Sequence, residues 1–209
     1  MPWYPRIHAA IKRVLPQLLP AQATNLALLV SALLAKRNSC LSELARAYPR
    51  PHPEQRRAPA PKHDLLHLLK RLWRFLDNPR IDTQALQRSL IPTTLAGLGH
   101  PHVLGLAIDW TYFDSALPTG RRVRYQTLRI AVPRRGRALP VLQVAYDRDH
   151  LPADKSQNLL EEEALLALVR ALPHGVRPVV LSDRGFGRAA FLTWLQANGL
   201  DYVVRFTAV

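Results

Sequence analysis

The chain has 209 residues, 48% of them hydrophobic, and a formal net charge of +14 with a pI near 11.0. That length allows one large domain or two small ones with a buried core, and so large a cationic excess points to a polyanionic partner, nucleic acid above all. The single cysteine, Cys40, excludes an internal disulfide and a cysteine-rich zinc site, and the longest apolar run, residues 26–35, is too short to span a bilayer. No signal-peptide pattern opens the chain, so the expected location is cytoplasmic.

The charge is uneven. Residues 1–100 hold 15 Lys and Arg against 5 Asp and Glu, whereas residues 101–209 hold 14 against 10. The front half is therefore the expected electrostatic footprint. It reads as helical. Residues 7–19 carry apolar side chains at a 3.6-residue period, with Pro16 placed to end or kink the helix; residues 25–36 form a second, mostly buried helix. Ser39 or Ser42 caps a short third one through Tyr48, and Cys40 is expected as a buried thiol. The pattern fits a plain helical bundle better than a helix-turn-helix. Five prolines and four basic residues make 49–63 a Pro/Arg-rich linker. Residues 64–77 give the clearest helix, with Asp64 as cap and Leu65, Leu68, Leu69, Leu72, Trp73 and Leu76 on one face. A further helix runs from Asp82 or Thr83 to about Leu90. The expected domains are a basic helical domain over 1–97 and a second domain over 98–209.

After the Gly97–Pro101 region the pattern turns to strands. Residues 103–108, 124–132 and 139–146 are strand-like, the last two joined by a hairpin turn bearing Arg134, Arg135 and Arg137. Residues 159–172 are a helix, 179–181 a buried strand, 189–198 a helix and 202–206 a last strand. The order is β-β-β-α-β-α-β, an α/β fold.

Two of these strands run into an aspartate: Ile108-Asp109 and Ser182-Asp183. A parallel pairing of the first and fourth strands, with the 159–172 helix as crossover, brings Asp109 and Asp183 side by side. Taken alone, Asp183 reads as a turn or helix cap. As a pair, two carboxylates about 5 Å apart repel unless they share a cation, and hard oxygen ligands favour Mg²⁺ or Mn²⁺. Carboxylate-held divalent ions activate water or a hydroxyl for attack on phosphodiesters, which matches a basic chain.

At this point the chain resembles the insertion-sequence 4-like DDE transposases of bacteria, whose catalytic core is ribonuclease-H-like. The residues that carry the resemblance are Arg74-Phe75-Leu76-Asp77-Asn78-Pro79, Asp109-Trp110-Thr111, Gly136-Arg137-Ala138-Leu139-Pro140, Gln157-Asn158 with Glu161-Glu162, Ser182-Asp183-Arg184-Gly185-Phe186 and Asp201-Tyr202-Val203-Val204-Arg205. The resemblance implies a mixed ribonuclease-H-like sheet over 98–209, and Asp109 and Asp183 as catalytic, metal-binding residues. It also implies Mg²⁺ or Mn²⁺ as cofactor and DNA, as transposon ends and target, as partner. The activity implied is DNA strand cleavage and transfer, in a nucleoid-associated protein. A homodimer, or pairing with a full-length transposase, belongs to the same expectation.

The family's third acidic ligand, a Glu on a helix after the last core strand, has no counterpart before Val209, so an amino-terminal fragment with a truncated core is expected. A non-catalytic DNA-binding inhibitor of transposition, or an inactive gene remnant, are the alternatives. Arg134, Arg135, Arg137, Arg184, Arg188 and Arg205 are candidate DNA contacts. Glu161, Glu162 and Glu163 read as helix-surface charges, Trp110 as core, and Asp147 as a reserve ligand.

Overall fold

The computed structural model describes residues 3–47, 62–99, 101–116, 120, 122–151 and 153–205. The chain divides into two compact units, Met1–Thr83 and Gln84–Val209. The boundary read from the sequence near Gly97 falls one helix later, because the helix over Thr83–Ala96 buries Ile91 and Leu95 in the core of the second unit.

The first unit holds α1 (Tyr4–Val14), α2 (Pro20–Lys36), α3 (Leu41–Ala47) and α4 (Lys62–Leu76). Helix α1 stops before Pro16, whose ring cannot continue it. Helix α2 begins earlier than its apolar run, because Pro20 occupies the first turn, where no N–H is needed. Leu28, Leu29, Ala32, Leu44, Ala45 and Leu72 form the core. The apolar stripe of α4 is narrower than its spacing implies: Leu65, Leu68 and Leu69 pack inward, but Trp73 and Leu76 are 60% and 52% exposed. This helix starts two residues before Asp64, the expected cap. Cys40 is exposed rather than a buried thiol; it precedes α3, where its carbonyl accepts the Leu44 N–H at 3.0 Å. Its hydrogen bond with the Ser42 hydroxyl lowers the thiol pKa. Tyr48 and residues 49–61 of the expected linker lie outside the described residues.

The second unit contains α5 (Thr83–Ala96), β1 (Val103–Ala116), β2 (Arg122–Arg134), β3 (Arg137–Asp147), α6 (Gln157–Val169), β4 (Arg177–Ser182), α7 (Ala189–Ala197) and β5 (Asp201–Val204). The five strands form one mixed sheet in the order β3-β2-β1-β4-β5. β1, β2 and β3 pair antiparallel, and β1, β4 and β5 pair parallel. The β1–β2–β3 hairpins lie to one side of β1, which leaves its other edge for β4. Pro133 and Pro140 sit in the last rungs next to the β2–β3 turn, where the ladder tolerates a missing donor. The turn itself is Arg135-Gly136, both at positive φ (23° and 77°).

Alternation along the strands splits the sheet into two faces. Leu104, Leu106 and Ile108 of β1 and Val180 of β4 are buried against Leu165 and Leu168 of α6 and Phe191 and Leu195 of α7. The intervening residues point to the other face. There Val103 is 57% exposed and Val203 of β5 is 61% exposed. The helices of the second unit thus cover one face of the sheet and leave much of the other accessible.

Candidate functional site

The register of β1 and β4 runs from Val103 opposite Arg177 to Ala107 opposite Leu181. Two residues further along each chain stand Asp109 and Asp183. Continued two residues past its last rung, that register would set them level, and strand alternation would put both on the accessible face, one inter-strand spacing of about 5 Å apart. Both are exposed. β4 ends at Ser182, so Asp183 sits at its carboxyl end. Asp109 does not end its strand as expected. β1 continues to Ala116 because β2 pairs with it down to Arg122, and Asp109 lies where β1 loses its β4 neighbour.

The row extends further. Arg129 of β2 is the cross-strand partner of Asp109. On the other side, the β4–β5 pairing ends at Ser182 opposite Val204, and Asp183 and Arg205 are the next residue of each segment. The Arg205 N–H donates to the Ser182 carbonyl at 3.1 Å, which keeps the end of β5 beside the end of β4. Arg129 of β2 pairs with Asp109 of β1, and Asp183 and Arg205 follow just past the ends of β4 and β5, so the four come in order across the sheet. Arg129 was not singled out from the sequence; its signal is a cation inside the apolar stretch Leu128–Val132 of β2, on the same face as Asp109. Its Nε donates to Gln143 Oε1 of β3 at 3.2 Å.

Asp183 also serves as a turn cap. Its Oδ1 accepts the Gly185 N–H at 2.9 Å and starts a 3₁₀ turn over Arg184–Phe186. Only glycine fits well there, since a Cβ at residue 185 would stand 3.1 Å from that same oxygen. The cap reading and the ligand reading are thus compatible: one oxygen fixes the carboxylate and the other is oriented by it.

Among the described residues no group of three or more His, Cys, Asp or Glu side chains comes together to hold a metal. The donor set on the accessible face is two aspartates. That set fits Mg²⁺ or Mn²⁺, because Mg²⁺ keeps several waters and is commonly held by one or two carboxylates together with phosphate oxygens of a substrate. Asp147 does not join them. Its Oδ1 accepts the Asp149 N–H at 3.0 Å and its Oδ2 meets His150 Nδ1 at 2.8 Å, so it caps the 3₁₀ turn Arg148–His150 instead.

Directly behind the pair, on the helix-covered face, lies a polar cluster. Glu161 of α6 is 1% exposed, not a surface charge. Its Oε1 accepts the Trp110 indole N–H at 2.7 Å, and its Oε2 pairs with Arg188 Nη2. Arg188 Nη1 donates to Asn158 Oδ1, and the guanidinium lies 5.8 Å and 5.4 Å from the ring centres of Phe186 and Phe191. Burial pushes the Glu161 carboxyl above its ordinary pKa, against the hydrogen bonds from Trp110 and Arg188, which pull it down. The signal for Glu161 was its position: with Ala164, Leu165 and Leu168 it falls on the buried stripe of α6. Glu162 is half-buried, and Glu163 is exposed and paired with Lys155.

The other candidate arginines separate by where their guanidinium groups go. Arg184 is exposed on the turn beside Asp183. Arg135 and Arg137 are exposed at the β2–β3 turn, while Arg134 Nη2 donates to the Leu98 carbonyl at 2.9 Å. Arg188 is half-buried, and its guanidinium is occupied by Glu161 and Asn158. In the first unit, Lys70, Arg71, Arg74 and Arg80 line one groove beside the start of α2, with no carboxylate in its walls.

No model of a known protein family matches this chain, and no curated protein is significantly similar to it. No helix among the described residues is long and apolar enough to cross a membrane.

Proposed function

We propose that this chain is a DNA-processing protein of the transposase type, with a ribonuclease-H-like sheet in which Asp109 and Asp183 hold Mg²⁺ or Mn²⁺ for cleavage and transfer of a DNA strand at transposon ends. The observation that carries this reading is the row Arg129–Asp109–Asp183–Arg205 on one accessible sheet face. Two adjacent carboxylates attract divalent cations, and flanking guanidinium groups attract the phosphate that completes the coordination. The net charge of +14 and the carboxylate-free cationic groove of the first unit support a polyanionic substrate.

The residues then divide the work as follows. Asp109 and Asp183 would hold the cation and orient it through the Gly185 N–H bond to Asp183. A bound divalent ion supplies a lowered water pKa and neutralises charge on a phosphodiester. Arg129, Arg184 and Arg205 would hold the phosphate diester by charge-assisted hydrogen bonds. Attack by water would break the P–O3′ bond, freeing a 3′-hydroxyl and leaving a 5′-phosphate; attack by that hydroxyl on a target phosphodiester would join the strands and expel the target's own 3′-hydroxyl.

The absence of a third carboxylate near the pair, among the described residues, favours a second reading: DNA binding without cleavage. One assay separates the two. The full chain is incubated with Mg²⁺ and a plasmid carrying the DNA that flanks its gene, and nicking is scored alongside salt-dependent binding. The transposase reading predicts Mg²⁺-dependent nicking that falls roughly 100-fold or more in Asp109→Asn and in Asp183→Asn. Nicking that survives both substitutions removes this site from the mechanism. Binding that weakens steeply with salt but never yields nicks supports the second reading.

A further inference from the structure

We propose that Glu161 is a positioning residue for both members of the carboxylate pair, acting from the opposite face of the sheet. The proposal rests on the reading of Asp109 and Asp183 as metal ligands. Its geometry is independent of that reading. Glu161 bonds both the residue after Asp109 and the residue that closes the turn following Asp183. Its Oε1 takes the indole N–H of Trp110, the residue after Asp109, at 2.7 Å. Its Oε2 takes Arg188, which closes the segment that begins at Asp183.

The second connection has two further supports. Arg188 is held from its other nitrogen by Asn158, one helical turn before Glu161 on α6. Its guanidinium packs over Phe186, the buried last residue of the Asp183 turn, and over Phe191 of α7. The chain from Asp183 to Arg188 is thereby clamped at both ends: by the Gly185 N–H on Asp183 Oδ1, and by Glu161 and Asn158 on Arg188. β1 is clamped at Trp110.

A buried carboxylate with raised pKa costs stability unless it is fully bonded, so a simple apolar residue would serve a core role better. What an apolar residue at this position cannot do is fix two separate strand ends against each other. Fixing β1 and the β4 end against each other would keep the two carboxylates on the far face at the spacing a shared cation requires. Outer-shell partners of this kind commonly change metal affinity by roughly ten-fold or more when removed.

The test uses the full chain and two readouts. Mn²⁺ binding is followed by electron paramagnetic resonance titration for wild type, Glu161→Gln, Trp110→Phe and Arg188→Lys, with Asp183→Asn as the control that removes a ligand. Amide exchange at Gly185 and Phe186 is followed in the same proteins without metal, and melting curves check that each folds. The expected result is a roughly ten-fold weaker Mn²⁺ site in Glu161→Gln, smaller losses in Trp110→Phe and Arg188→Lys, and faster exchange at Gly185 in the Glu161 and Arg188 variants. Return of affinity in Glu161→Asp relative to Glu161→Gln supports an ionic positioning role. If wild type binds Mn²⁺, Asp183→Asn abolishes it and Glu161→Gln binds like wild type, the proposal is wrong while the metal site stands. If wild type binds no Mn²⁺, the metal reading fails, and exchange at Gly185 alone decides whether Glu161 fixes the turn; unchanged exchange overturns it.

Discussion

Asp109 and Trp110 are neighbours in the chain and face opposite sides of the sheet, and the two sides treat charge in opposite ways. On the helix-covered side the carboxylate of Glu161 is sealed from solvent and answered by an indole N–H and a guanidinium. On the accessible side Asp109 and Asp183 stand level with each other, with Arg129 and Arg205 beyond them. The buried acid must be bonded on every side or the fold suffers. The exposed pair is under no such constraint, because water screens it. Removing charge should therefore damage stability on one face and binding on the other.

The largest expected effect tests the covered face. Glu161→Ala leaves Arg188 and the Trp110 N–H without their shared acceptor, which should cost about 2–4 kcal/mol in urea unfolding. The double variant Glu161→Leu with Arg188→Met should regain part of that loss, since an apolar pair of similar volume has no charge to bury. By contrast, Asp109→Asn should change stability by no more than about 0.5 kcal/mol, as an exposed substitution does. Equal losses on the two faces would erase the distinction.

A smaller effect sharpens the accessible face. Gly185→Ala places a methyl group 3.1 Å from Asp183 Oδ1 and displaces the carboxylate that the turn holds. Mn²⁺ affinity should fall several-fold while the melting temperature stays near that of wild type. The measurement is a metal titration beside a thermal scan.

The smallest effect concerns pH. Arg177 beside Asp201 holds that carboxyl below its ordinary value, on an exposed pair that ties β4 to β5. A depressed pKa contributes stability above the unfolded value and loses it as pH falls through the folded one. Wild type should thus exceed Asp201→Asn slightly at neutral pH, and the difference should close in acid. Glu161 works the other way: its raised pKa makes its contribution greatest below the ordinary carboxylate value and smaller as pH climbs through the raised one. Glu161→Gln should remove that second trend and leave the first.

These contrasts also show why parts of the molecule were readable from its sequence and parts were not. The β-β-β-α-β-α-β order and the β1–β4 neighbourhood follow from apolar runs, turn residues and the length of the α6 crossover, all of which are local. The level placement of Asp109 and Asp183 follows once those two strands pair in parallel. The length of β1 was not legible, because residues 109–116 mix polar and apolar types without an apolar run and only the β2 ladder makes them strand. Glu161 was misread because a run of three glutamates looks like a solvated face; only the partners contributed by Trp110 and Arg188, 51 and 27 residues away, allow one of them inside. Arg188, open in the sequence between a phosphate contact and a salt-bridge partner, pairs with Glu161 of α6. Cys40 shows the converse: apolar neighbours in sequence did not make it buried, because it precedes α3 rather than lying within it.

The most direct test of the accessible-face pair is Mn²⁺ binding to the metal-free full chain, read by electron paramagnetic resonance in wild type, Asp109→Asn and Asp183→Asn. One saturable site in wild type that disappears in each variant, with melting curves unchanged, is the predicted result. A wild-type site that both variants keep at the same affinity would contradict the assignment of Asp109 and Asp183 as its ligands.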